Sequence, residues 1–224
     1  MRVKCQRSKA RSGLVGFSLI ELLVVIAVVG SLAGLLLPAL VRARDKGKTA
    51  ACSSNLRQLI LASQMYEEDY KVFPLGWNPP PFAAIWCRQL QPYVGRPVTQ
   101  WGGGVFVCPS RQQGGFLGSL GYAQNREINL GRDDIGLRHV QDPVNTIMFA
   151  DTDGWDACLY PDSDSTANVL YRHSGGTEWS TRSVRMSRRP VERVVFGRAN
   201  AVFTDGHGEL ISRAPKRLFT LKRD

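Results

Sequence analysis

Histidine is the scarcest ionisable residue in this 224-residue chain, present only as His139, His173 and His207. There is no G-x-S-x-G, no H-E-x-x-H and no paired Cys/His framework, so the common serine-hydrolase and zinc-protease scaffolds are excluded. A hydrolase could be assembled on paper from His173 or His207, Asp205 and a serine. A histidine just after an Asp-Gly turn is more often a surface or packed residue, and the reading is of a non-enzyme. None of the five cysteines has C-x-x-C spacing, which argues against a zinc site. No internal repeat or low-complexity tract occurs, and no A-x-A cleavage site follows the long apolar run near the amino terminus.

That run is the dominant feature. From Phe17 to Leu40 there are 24 residues, of which only Ser18, Glu21 and Ser31 are appreciably polar. As a helix it is ~36 Å long, enough to cross a bilayer core of ~30 Å and too long for an ordinary signal-peptide core. Five basic residues precede it (Arg2, Lys4, Arg7, Lys9, Arg11), and they should stay cytoplasmic. Arg42, Arg44, Lys46 and Lys48 follow it, so orientation rests on the whole signature. Glu21 is anomalous: a charge in a membrane helix costs roughly 2.5–3.5 kcal/mol on insertion scales and usually marks a function and a partner. Cutting between Gly16 and Phe17 would create an amine one turn from Glu21, and in a filament the amine of one subunit could neutralise the Glu21 of the next. Gly16, lacking a side chain, suits a peptidase that approaches the backbone closely.

The stretch GFSLIELLVVIAVVGSLAGLLLPAL (16–40) resembles the amino terminus of type IV prepilins and type II secretion pseudopilins. The resemblance implies cleavage after Gly16 by a prepilin peptidase, methylation of the Phe17 amine, and assembly guided by Glu21. Pro38 stands where many pilins carry a proline that loosens the helix. Ala27, Gly30, Ala33 and Gly34 would let helix backbones approach closely in a bundle. The implied partners are the peptidase, other pilin-like subunits, an inner-membrane assembly platform and the membrane itself. The implied location is the inner membrane, single-pass, amino terminus cytoplasmic before processing, with the head in the periplasm or outside as part of a filament. The competing readings are a plain signal anchor, a non-polymerising anchored binding domain and an anchored hydrolase.

Four regions follow: a removable leader (1–16), a membrane and assembly helix (17–41), an amphipathic continuation (42–72) and an exported head (73–224). The net charge of +10 is inflated by the leader; without it 24 basic residues face 19 acidic ones, a balance that names no anionic partner. Cys52, Leu56, Leu59, Ser63, Tyr66 and Tyr70 recur at 4-3-4-3-4 spacing, one face of a helix, while Arg57, Gln58, Gln64, Glu67 and Glu68 take the other. Phe73-Pro74 and Asn78-Pro79-Pro80-Pro81 end it. A short helix is expected over 83–90, before Pro92, and strands over 105–109, 146–151, 168–173, 199–204 and 209–212. Asp205-Gly206 makes a hairpin of the last two. The fold class is α+β, a long helix laid on a small antiparallel sheet, pilin-like.

The resemblance extends to a large pilin-like family through Asn55–Leu59, Tyr66–Asp69, Phe73-Pro74, Phe106–Ser110 and Gly121–Asn125. That family carries a late H-x9-D-G signature, represented here by His173, Asp205 and Gly206 but interrupted by 22 extra residues, 177–198. Arg182, Arg185, Arg188, Arg189, Arg193 and Arg198 lie in this insertion. It reads as a solvated basic loop; with only Trp179 and Phe196 for stacking, nucleic-acid binding is not expected. Removing the leader removes Cys5 and leaves Cys52, Cys87, Cys108 and Cys158, enough for two disulfides in three connectivities or for buried free thiols. Cys52 with Cys108 is the preferred pair, because Cys52 lies on the stripe facing the head. Asp151, Asp153 and Asp156 alternate about Gly154 and form a candidate calcium site, weighed against ordinary turn chemistry. No other cofactor is expected.

Overall fold

A computed structural model describes residues 18–75, 85–95, 104–111, 120–129, 135–152, 158–160, 169–176 and 197–221. The leader, Gly16 and Phe17 lie outside these. The chain forms two compact units, Met1–Ala43 and Arg44–Asp224, with α1 (Leu19–Tyr70) contributing to both. In the first unit the described residues belong almost wholly to this helix. It is opened by Ser18-Leu19-Ile20-Glu21, half of a capping box: Glu21 Oε2 accepts from the Ser18 amide at 2.8 Å, satisfying a donor that the helix itself leaves unused. Pro38 lies within the helix.

In the second unit α1 turns one stripe inward. Cys52, Leu56, Leu59, Ile60, Ala62 and Ser63 are buried. The stripe then fades: Tyr66 is half-buried and Tyr70 exposed, the two rings stacked on each other at 4.5 Å. The helix stops at Lys71, which adopts a left-handed conformation (φ 63°) and returns its amide to the Glu67 carbonyl at 2.7 Å, the usual device for a helix carboxyl end.

Two short helices, α2 (Trp86–Gln89) and α3 (Gln91–Val94), follow. Pro92 lies inside α3, in its first turn, where its missing amide costs nothing. The helix expected over 83–90 is α2, which ends before Pro92. Tyr93 donates to Asp69 Oδ2 at 2.6 Å, tying α3 to α1.

The sheet has five strands in the order β3-β1-β2-β4-β5: β1 (Tyr122–Asn125, leading into the single turn α4, Arg126–Asn129), β2 (Ile147–Asp151), β3 (Cys158–Leu159), β4 (Ala199–Phe203) and β5 (Gly208–Ile211). β1–β2, β2–β4 and β4–β5 are antiparallel. The two-residue β3 runs parallel to β1, so the sheet is mixed, not purely antiparallel. β4 and β5 join through the Asp205-Gly206 turn, Gly206 holding φ +99°, a conformation that favours glycine.

Both faces of the sheet are covered, which is why β2 and β4 are buried along their whole length. Tyr122, Phe149 and Val202 point to the α1 side, where Trp86 lies against Phe106 and Phe149 at centroid distances of 5.7 and 5.0 Å. Ala123, Ile147, Ala150, Ala201 and Phe203 face the other way, against Val169, Tyr171, Ala214 and Phe219. A register shift between Ile147 and Phe149 puts Met148 and Phe149 together on the helix side, as a bulge permits.

Two expected strands do not form. Over 105–109 the chain makes a 3-10 turn, Gly104–Phe106. Its polar groups have other partners: the Val107 carbonyl accepts from Asn55 Nδ2 at 3.0 Å and the Phe106 carbonyl from the Gly121 amide at 2.8 Å. Over 169–173 pairing is confined to isolated bridges, Thr152 with Val169 and His173 with Arg198.

Candidate functional site

Every residue from Ser18, just before α1, to Lys46 is exposed, including the large apolar side chains between Leu19 and Val41. The helix is long and apolar enough to cross a membrane. Ala27, Gly30, Ala33 and Gly34 are open on this surface, and a Cβ at Gly30 or Gly34 would meet nothing. Glu21 is the only acidic residue in the helix before Asp45, and its described contact is the local cap to Ser18.

A second cluster lies in the head. Four separate segments meet there: Cys52 from α1, Cys108 after the 3-10 turn, Asp151 at the end of β2, and His173. Cys52 and Cys108 form a disulfide with a Cα–Cα distance of 5.0 Å, the pairing preferred from the helical stripe. His173 Nε2 lies 3.7 Å from Cys108 Sγ and 3.2 Å from Asp151 Oδ2. All four residues are buried, His173 at 3 % exposure and the others at 0 %.

The surroundings are built to hold this cluster. Asn55, three residues after Cys52, donates to the Val107 carbonyl. The Tyr122 hydroxyl donates to the Cys52 carbonyl at 3.2 Å; burial, then the Asp151 charge, pushes that phenol well up, so it remains a donor. Gly121 passes so close that a Cβ there would overlap the Cys108 backbone nitrogen. Asp151 Oδ2 also accepts from the Asn200 amide at 2.7 Å, fixing the carboxylate against β4. On the far side of the ring, His173 Nδ1 faces Thr49 Oγ1 at 3.1 Å and Ser110 Oγ at 3.4 Å. Cys87 is a buried thiol whose pKa burial pushes up to about 12, and it stays protonated and inert.

The His173–Asp151 pair was not legible as a pair. The two are 22 residues apart in sequence, and the composition around Asp151 is that of a turn or calcium loop. Its Oδ2 lies beside His173 Nε2 and the Asn200 amide. Asp153 and Asp156, the other two candidate ligands, lie outside the described residues.

The signature residues do not pair with one another either. Asp205 Oδ1 accepts from His207 Nδ1 at 2.7 Å and from the His207 amide at 3.1 Å at the hairpin turn, while His173 belongs to the buried cluster. They bracket β4 from its two ends. The insertion leaves between them through a narrow neck: His173 and Arg198 exchange two backbone hydrogen bonds of 2.9 and 2.7 Å, and a Cβ at either Gly176 or Gly197 would overlap the Tyr171 carbonyl oxygen, at Gly197 with the Gly176 backbone close behind. Of the arginines in the insertion only Arg198 is described, and it is exposed. Because the neck closes on itself, deleting 177–196 and joining Gly176 to Gly197 is expected to change head stability by less than about 1 kcal/mol. Thermal unfolding of the full chain in micelles checks this; loss of the cooperative transition would refute it.

Against known proteins, residues 42–101 match the model of one family, described as a protein of unknown function, DUF1559. The matched stretch covers the amphipathic part of α1, with Cys52 and Asn55, and both short helices. No curated protein and no solved structure matches the chain.

Proposed function

We propose that this chain is a pilin-like structural subunit, cut after Gly16 by a prepilin peptidase, N-methylated at Phe17 and assembled through its amino-terminal helix into a type IV pilus or type II secretion filament. The observation that carries the reading is the wholly exposed apolar half of α1 with Glu21 near its start. Such a surface needs lipid or other helices around it, and the carboxylate needs a cation that lipid does not supply. The resemblance of residues 16–40 to prepilin amino termini supports the same conclusion, as does the α+β head. The partners are the peptidase, other pilin-like subunits and an inner-membrane assembly platform, with the chain single-pass in the inner membrane and its head in the periplasm or outside. The reading includes no enzymatic activity.

A groove of about 730 Å³ along the edge strand β5, lined among others by Phe203, His207, Glu209 and Arg217, favours one second reading: an anchored binding head that does not polymerise. Gly16→Val separates a processed chain from a plain anchor. It is expected to leave full-length precursor as the only species on a gel, because a branched side chain obstructs a peptidase that approaches the backbone closely. A variant trimmed to the same size as wild type would contradict the cleavage site.

A further inference from the structure

Cys52, Cys108, Asp151 and His173 each offer one ligand atom, and these atoms all lie within 4.8 Å of one another in the interior of the head. Two sulfurs, one imidazole nitrogen and one carboxylate oxygen form the kind of set that tetrahedral Zn²⁺ takes. The residues come from four separate segments, so no C-x-x-C spacing announces them. Two details go beyond proximity. Asp151 Oδ1 is buried with no hydrogen-bond partner among the described residues, a rare condition for a carboxylate oxygen in an interior. His173 has its Nδ1 edge turned to the Thr49 and Ser110 hydroxyls and its Nε2 edge inward. Thr49 Oγ1 already donates to the Asp45 carbonyl at 2.9 Å, so towards His173 it accepts. In the metal-free chain the Nε2 edge meets the Asp151 carboxylate at 3.2 Å as a donor; a metal at Nε2 displaces that proton to solvent while a Nδ1–H···Oγ1 bond holds the ring, which is how second partners orient metal-binding histidines.

In the oxidised chain the two sulfurs are bonded to each other and are not thiolates. We propose that, once this disulfide is reduced, the same four side chains bind one Zn²⁺, so that disulfide and metal are alternative cross-links between α1 and the sheet. The balance is simple. A dithiol reductant gives two electrons to the Cys52–Cys108 bond and is itself oxidised to a disulfide, and the two sulfurs take up its two protons. Zn²⁺ then displaces both thiol protons to solvent and adds His173 Nε2 and the Asp151 carboxylate. Two thiolates and one carboxylate against the dication leave one net negative charge. Arg172, buried and next to His173 in sequence, lowers the Tyr122 phenol where Asp151 raises it, so a positive charge opposite in sign to that net charge is felt at the same hydroxyl. The sulfurs must separate to roughly 3.8 Å, the edge of a tetrahedron with Zn–S of about 2.3 Å, a movement within reach of cysteine side-chain rotation.

The test uses the full chain in detergent micelles, with Cys5→Ser, Cys87→Ala and Cys158→Ala to remove competing thiols. The protein is reduced under anaerobic conditions, freed of reductant and titrated with Zn²⁺ against a chromogenic chelator, and in parallel with Co²⁺. The expected result is one metal per reduced chain, none per oxidised chain, and a Co²⁺ spectrum with tetrahedral ligand-field bands and thiolate charge transfer. His173→Ala and Asp151→Ala should each weaken binding at least tenfold. The Co²⁺ spectrum of the otherwise intact chain keeps the test decisive even if a variant fails to fold. No metal in the reduced chain, equal binding by the oxidised chain, an octahedral Co²⁺ spectrum, or affinity unchanged in His173→Ala would each overturn the proposal.

Discussion

Glu21→Ala is expected to give a chain that is still cut after Gly16 and still held in the membrane, yet enters filaments at least a hundredfold less than wild type. Removing the carboxylate lowers the cost of insertion, which runs to roughly 2.5–3.5 kcal/mol for a charge at a membrane-helix centre, so anchoring should improve. The cap to the Ser18 amide is also lost, but a capping bond contributes only about 1 kcal/mol, too little to unwind a 52-residue helix. Assembly differs because there the carboxylate meets the new Phe17 amine of a neighbouring subunit away from water. Removing one partner of such a pair costs about 3–5 kcal/mol, a factor of roughly 10² or more. The sheared filament fraction, quantified by immunoblot against the membrane fraction, gives the ratio. Wild-type incorporation would leave the anchored binding domain as the better account.

Replacing both Cys52 and Cys108 by alanine is expected to destabilise the head by about 4 kcal/mol in the chain-entropy model, given a sequence separation of 56 residues. For a domain of this size that is a fall in Tm of roughly 8–16 °C. The effect should be large because the bridge joins α1 to the loop packed on β1, and Asn55 and Tyr122 hold their bonds only while those two are together. Circular dichroism of the oxidised full chain and the double variant, both with a chelator so that metal plays no part, measures it. A difference under about 2 °C would mean that the bridge contributes little to holding the helix and loop in place.

What could be read in the sequence followed from local patterns. The apolar run, the 4-3-4-3-4 stripe that buries Cys52, Leu56, Leu59 and Ser63, and the Asp205-Gly206 turn between β4 and β5 each depend on a few neighbouring residues. The S-x-x-E of Ser18–Glu21 is equally local, a capping signature on the same residue that stands out as a membrane charge. What escaped depends on partners far away in sequence. Residues 105–109 look like a strand, but their polar groups are taken by Asn55 and Gly121. The parallel pairing of β3 involves two residues, too few to leave a period. Asp151 carries the composition of a turn, and only the register of β2 against β1 and β4 turns it towards His173.

The central claim is that residues 1–16 are removed and that α1, just behind the new amino terminus, is an assembly element. Mass spectrometry of the chain purified from a host with an active prepilin peptidase tests it most directly. The account predicts an amino-terminal peptide beginning at Phe17 and carrying one methyl group. An intact terminus at Met1 would contradict it and make residues 17–40 a plain membrane anchor.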